Sequence, residues 1–184
     1  FLEATSAAAS VFIGTNAGGK TTAAGRAAPV TGANNTVVGN TAGYALTSGA
    51  SNVLIGNNAG REITNNSSNI AIGHGALDAA NDAENSNVAI GVDALGSETT
   101  GADGCVAIGH LALEDQNRAA SANTAVGYTA LRNLGSGVDF GGIRNTAIGY
   151  EAGGSGVFGG TTDGGSNEKG SSNTLLGYQA GKII

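Results

Sequence analysis

Few residues in this 184-residue chain have the types and spacing that chemistry needs. Gly14, Gly19, Lys20 and Thr21 satisfy the Gly-x4-Gly-Lys-Thr spacing with which a strand-to-helix loop cradles phosphates. The helix such a loop requires cannot follow, because Gly25 and Pro29 interrupt the next residues. The stretch therefore reads as a loop. His74 and His110 would be metal ligands or bases only if folding brought them together. Asp78, Asp82, Glu84, Glu114, Asp115 and Asp163 lack the spacing of a calcium loop, and Asp163, in a glycine-rich stretch, is the one candidate for an ion. The lone Cys105 cannot form an intrachain disulfide, and no base or cation stands near it to activate the thiol. No Ser-His-Asp set and no carboxylate pair can be assigned, so no catalytic residue, metal or cofactor is expected. Tyr128, Tyr150 and Tyr178 remain, with rings suited either to sugar or to packing against one another. Phe140 and Phe158, in glycine-rich excursions, join them and Asp163 as candidate ligand-binding residues.

What must position these residues is a repeat. A phrase typified by Asn87-Val88-Ala89-Ile90-Gly91-Val92-Asp93-Ala94-Leu95 recurs nine times, anchored at Gly14, Gly39, Gly56, Gly73, Gly91, Gly109, Gly127, Gly149 and Gly177. The spacings are 25, 17, 17, 18, 18, 18, 22 and 28 residues. Self-similarity at a short, nearly fixed period is the signature of a solenoid.

Each column of the repeat has a physical meaning. One residue before the anchor stands a branched aliphatic in every copy, and three before it a β-branched residue, both types that favour strands. Side chains alternate faces along a strand, so these two columns share one face. The middle column is alanine in five copies and Phe12, Val37, Leu54 or Leu175 in the others, which implies a crowded opposite face. Three residues after every anchor comes alanine, from Ala17 to Ala180, a position with room for a methyl group only. Four before the anchor, seven copies carry asparagine, suited to a turn or, stacked in register, to a hydrogen-bonded ladder. The anchor glycine is expected to supply positive φ or close backbone approach at a corner. One after the anchor runs Thr15, Asn40, Asn57, His74, Val92, His110, Tyr128, Tyr150, Tyr178. His74 and His110 thus fall two coils apart, about 9.5 Å at a strand spacing of about 4.8 Å, too far to share a metal within one chain.

Residues 1–9 read as a lead-in or cap and residues 10–184 as one solenoid domain, with long loops at 18–34, 133–144 and 153–172. Composition agrees. Thirty-three glycines without a Gly-X-Y period exclude collagen, and the apolar periodicity excludes simple disorder. A net charge of −6 argues against a nucleic-acid groove. No apolar run approaches the roughly 20 residues of a spanning helix, so no membrane insertion of this segment is expected. Nor does the start resemble a signal peptide, and the chain reads as a piece of something longer.

The pattern raises a difficulty. Parallel strands normally need both faces covered, yet each coil carries one good apolar wall and polar returns. A single chain so patterned is not expected to close a dry core alone. The sequence therefore predicts three chains pooling their walls, with a flattened, alanine-tight monomeric solenoid as the alternative.

The phrases Asn-Val-Ala-Ile-Gly (87–91), Asn-Thr-Ala-Val-Gly-Tyr-Thr-Ala-Leu (123–131) and Asn-Thr-Ala-Ile-Gly-Tyr-Glu-Ala (145–152) resemble the head repeats of trimeric autotransporter adhesins. They are more similar still to the β-roll repeats of bacteriophage tail fibres, because adhesin heads usually repeat near 14 residues with serine where this chain has its alanine. The resemblance covers about residues 10–181. It implies a left-handed parallel β-roll, a homotrimer wound about one axis, and an extracellular rod on a cell surface or virion that binds a glycan or protein receptor.

Three functions follow as expectations. The leading one is a structural and receptor-binding fibre segment without enzymatic activity. An ice- or surface-binding solenoid is suggested by Thr124, Thr146 and Thr174. A hexapeptide-type acyltransferase is suggested by Ile-Gly-x-x-Ala-Leu (90–95) and two histidines, but that hexapeptide occurs once per coil where three would be needed.

Overall fold

The computed structural model describes residues 9–19, 30–79, 84–97, 102–115, 121–134, 142–154 and 171–181. Its strands are β1 (Val11–Ile13), β2 (Thr36–Val38), β3 (Val53–Ile55), β4 (Ile70–Ile72), β5 (Val88–Ile90), β6 (Val106–Ile108), β7 (Thr124–Val126), β8 (Thr146–Ile148) and β9 (Thr174–Leu176), with no helix among the described residues. They form a single nine-stranded sheet in sequence order. Every adjacent pair is parallel, which makes the chain an all-β solenoid with one strand per repeat. Register follows the repeat columns: Val88 lies beside Val106, Ala89 beside Ala107 and Ile90 beside Ile108. The same alignment survives the 28-residue interval between β8 and β9, so insertions leave the ladder untouched.

The backbone alternates between handed conformations to close each coil. The anchor glycine ends the strand at a φ no other residue adopts comfortably, 136° at Gly91, and a Cβ there would run into the Gly109 carbonyl of the next coil. Two and four residues later the chain turns through left-handed positions, Asp93 and Leu95 both at φ 51°. The residue before the asparagine column is left-handed in all nine coils, from Ala9 through Ser86 to Ser172. For non-glycine residues this conformation costs on the order of 1–2 kcal/mol each. Inter-coil hydrogen bonds offset that cost. Val88 N–H donates to the Cys105 carbonyl, Gly109 N–H to the Ile90 carbonyl (both 2.8 Å), and Leu95 N–H to the Ala112 carbonyl at 3.0 Å.

The asparagines form a ladder in the interior. Asn52, Asn69 and Asn87 are fully buried. The side-chain oxygen of Asn52 accepts the Asn69 N–H at 2.9 Å, and that of Asn69 accepts the Asn87 N–H at 2.9 Å. Their amide nitrogens donate across the coil, Asn69 to the Glu84 carbonyl and Asn87 to the Ala102 carbonyl. Of the two uses the sequence allows for asparagine, the ladder is the one adopted, and the left-handed turn falls one residue earlier.

The interior corrects one expectation. A single chain does close its own core: the middle column (Val37, Leu54, Ala71, Ala89, Ala107, Ala125, Ala147) and the alanine column from Ala42 to Ala152 are completely buried. The physical reason is that strand alternation turns the small middle residue inward and the two large ones outward. The dry core is alanine-tight and needs no partner. In eight of the nine coils its filling follows a compensation, coil eight (Ala147 with Gly153) being the exception. Where the middle residue is large (Phe12, Val37, Leu54), the fourth residue after the anchor is Gly18, Gly43 or Gly60; where it is Ala71, Ala89, Ala107 or Ala125, that residue is Leu77, Leu95, Leu113 or Leu131. A Cβ on Gly60 would strike the Leu54 methyls, so the two positions fill one space.

Candidate functional site: an outward wall and its aromatic margin

With the core filled from within, the aliphatic columns are left facing out. The first and third residues of the nine strands present fourteen aliphatics and four threonines, and not one of the eighteen is buried. Ile148 is 41% exposed and Leu176 75%. The sheet places these side chains in two straight files roughly 38 Å long, eight strand spacings. A contiguous apolar face of this extent on a parallel sheet is the mark of an interaction surface.

Beside it runs the column after the anchor glycine, also exposed. Its pitch is fixed by backbone bonds between coils: Thr129 N–H to the His110 carbonyl at 2.9 Å, Glu151 N–H to the Tyr128 carbonyl and Gln179 N–H to the Tyr150 carbonyl, both 2.8 Å. At the N-terminal end this column is an amide ladder, with Asn57 donating to Asn40 at 3.2 Å. At the C-terminal end it is aromatic. His110 and Tyr128 stack with centroids 5.1 Å apart, Tyr128 and Tyr150 at 5.1 Å, Tyr150 and Tyr178 at 5.5 Å, with planes within 6°, 9° and 13° of parallel. The rings cover one another's faces and turn their edges and phenol oxygens to solvent. The outer face of Tyr178, 73% exposed, ends the stack on one side, and at the other end His110 is preceded in the column by Val92, which carries no ring. The three tyrosines are thus brought together, as a ladder of edges.

Electrostatics around the stack are acidic. The Glu151 carboxylate, followed by partial desolvation, raises the Tyr150 phenol above its usual value. Gln179 donates to Glu151 at 2.7 Å, and Arg132 is held by Glu114 at 2.5 Å.

The other candidates disperse. His110 belongs to the stack, while His74 lies two coils before its near end, with Nδ1 3.8 Å from Asp93 Oδ1. Asp78, near both, has its pKa raised by burial first and by Glu62 and Asp93, against the lowering effect of Arg61 and His74. Gly14 serves as a strand corner, whereas Lys20 and Thr21 lie outside the described residues. Phe140, Phe158 and Asp163 lie outside them too, as do residues 1–8 and most of the three long loops. Cys105 is buried in the asparagine column. No group of three or more metal-ligating side chains occurs among the described residues, and no helix among them is long and apolar enough to cross a membrane.

Two features escaped sequence reasoning: the left-handed non-glycine columns and the paired volumes across the core. Glycine four residues after the anchor in five of the nine coils is the signal for both.

Comparison with known proteins returns no family model, no curated protein and no solved structure that matches this chain.

Proposed function

We propose that the chain is a structural and receptor-binding segment of an extracellular fibre, on a cell surface or a virion, in which three copies lie side by side through their aliphatic walls. The observation that supports this reading is the wall itself. Eighteen branched residues face outward from a solenoid whose core is already complete, so burying them serves association and not folding. Fixed one-strand-per-coil register gives identical copies matching files along their whole length. The same hydrogen-bonded ladder makes the object stiff, and stiffness with a repeated surface suits a rod that holds on to a partner. Sedimentation equilibrium tests the reading: a stable trimer at micromolar concentration is expected, and a monomer there would overturn it.

A second reading is motivated by one arrangement. Thr124, Thr146 and Thr174 stand in register on β7, β8 and β9, beside Val126, Ile148 and Leu176. A flat threonine-aliphatic face of this kind would bind ice or another regular surface. Measurable thermal hysteresis would favour it over the fibre.

A further inference from the structure

We propose that the ladder formed by His110, Tyr128, Tyr150 and Tyr178 is a binding site for flat, elongated aromatic cations lying along the solenoid axis. The geometry selects this ligand class in three steps. First, the rings are mutually stacked within 13° of parallel, so the six ring faces inside the stack are closed to a sugar or any other ligand that needs an open face, and only its two end faces remain. What the column offers is a straight rail of ring edges roughly 15 Å long, three strand spacings. A molecule that matches it must be long, flat and apolar enough to touch several coils at once.

Second, the rail is preorganised. The carbonyls of His110, Tyr128 and Tyr150 are each bonded to the next coil, which fixes the spacing at which the rings stack on one another. Third, the sign of the charge is set. The Glu151 carboxylate stands beside Tyr150 on the same edge and accepts a hydrogen bond from Gln179, Arg132 is taken up by Glu114, and the chain carries a net charge of −6. The site stands beside the aliphatic files and is formed entirely within one chain.

Thioflavin T, a flat elongated aromatic cation, is the probe. Titrated against the purified full chain, with its oligomeric state recorded by sedimentation in the same buffer, it is expected to bind saturably with a rise in dye fluorescence. Binding should also change the tyrosine emission, since three of the four tyrosines lie in the ladder and the chain has no tryptophan. Tyr150→Leu, which keeps an apolar side chain and removes the ring, should weaken binding about tenfold. Tyr150→Phe should leave it within about twofold, and Glu151→Gln should weaken it and flatten its dependence on salt. Ile72→Thr, on the wall but distant from the aromatic coils, should have no effect. Unchanged affinity in a folded Tyr150→Leu chain, or loss of affinity in Ile72→Thr, would place the dye on the aliphatic wall and overturn the proposal. So would equal binding of an anionic dye of the same shape. The fibre reading would survive either result, because its own test is the oligomeric state.

Discussion

The side-chain oxygen of Asn87 accepts the backbone N–H of Cys105 at 2.8 Å, and its amide nitrogen donates to the Ala102 carbonyl at 2.6 Å. One buried side chain thereby ties two points of the next coil to its own. At the following step the column carries a thiol where its neighbours carry an amide, with Cys105 Sγ 4.0 Å from the Asp103 carbonyl. Asn87→Ala leaves two buried groups without these bonds and is expected to destabilise the fold by about 2–4 kcal/mol. Cys105→Asn extends the ladder and is expected to stabilise by about 0.5–1.5 kcal/mol. Urea denaturation of the three chains measures both. A neutral Asn87→Ala would mean the amides are ornamental.

The shared volume of the middle residue and the residue four after the anchor makes a coupled pair. Ala89→Leu alone overfills the core and should cost about 1–3 kcal/mol. Leu95→Gly alone empties it and should cost about 2–5 kcal/mol. The double variant reproduces the Leu54/Gly60 arrangement two coils earlier. It should be more stable than the sum of the single effects predicts by about 1–3 kcal/mol. A double-mutant cycle read by thermal melting decides this, and strict additivity would refute the compensation.

Substitutions on the wall should separate association from folding. Ile108 and Ile148 point outward, so Ile108→Asn and Ile148→Asn together should leave far-ultraviolet circular dichroism unchanged. In the sedimentation cell the same pair should shift the chain toward monomer. If the doubly substituted chain loses its strand signal instead, the wall contributes to folding and the fibre reading weakens.

Asp78 offers a pH-dependent test. Its Oδ1 atom is buried with no hydrogen-bond partner among the described residues, and burial is the largest cause of its raised pKa. A carboxyl whose folded-state pKa lies above its unfolded value of 3.8 binds its proton more tightly when folded. This group therefore disfavours the folded state at neutral pH, and its penalty is relieved as pH falls through the folded pKa. Asp78→Asn should stabilise the chain at neutral pH, by at most about 1 kcal/mol because solvent screens this half-exposed group, and lose that advantage below pH 3.8. Denaturation midpoints on both sides of the transition would reveal the crossover, and a constant difference would rule it out.

Much of this architecture is legible in the sequence because a solenoid writes the same constraint nine times. Gly91 and its eight equivalents, Ala94 and its equivalents, and the branched pair Val88 and Ile90 each identify a column whose role follows from size and backbone freedom alone. What the columns did not reveal was which face pointed inward. Alanine at position 89 and isoleucine at 90 invite the assumption that the larger residue fills the core, and the structure places the smaller one there. Ranking by hydrophobicity fails where another column of the same coil, here Leu95, already fills the space beside the strand. The aromatic column was legible as a file of tyrosines. Whether it showed faces or edges depended on the parallel register of β6 to β9, which no single coil encodes.

The register has one more consequence. In the sheet each strand pairs only with the strands immediately before and after it. Nothing in such a cross-section counts how many turns there are. Duplication or deletion of an 18-residue unit would therefore change reach without redesigning any contact, and length becomes a trait that selection can adjust separately from everything else.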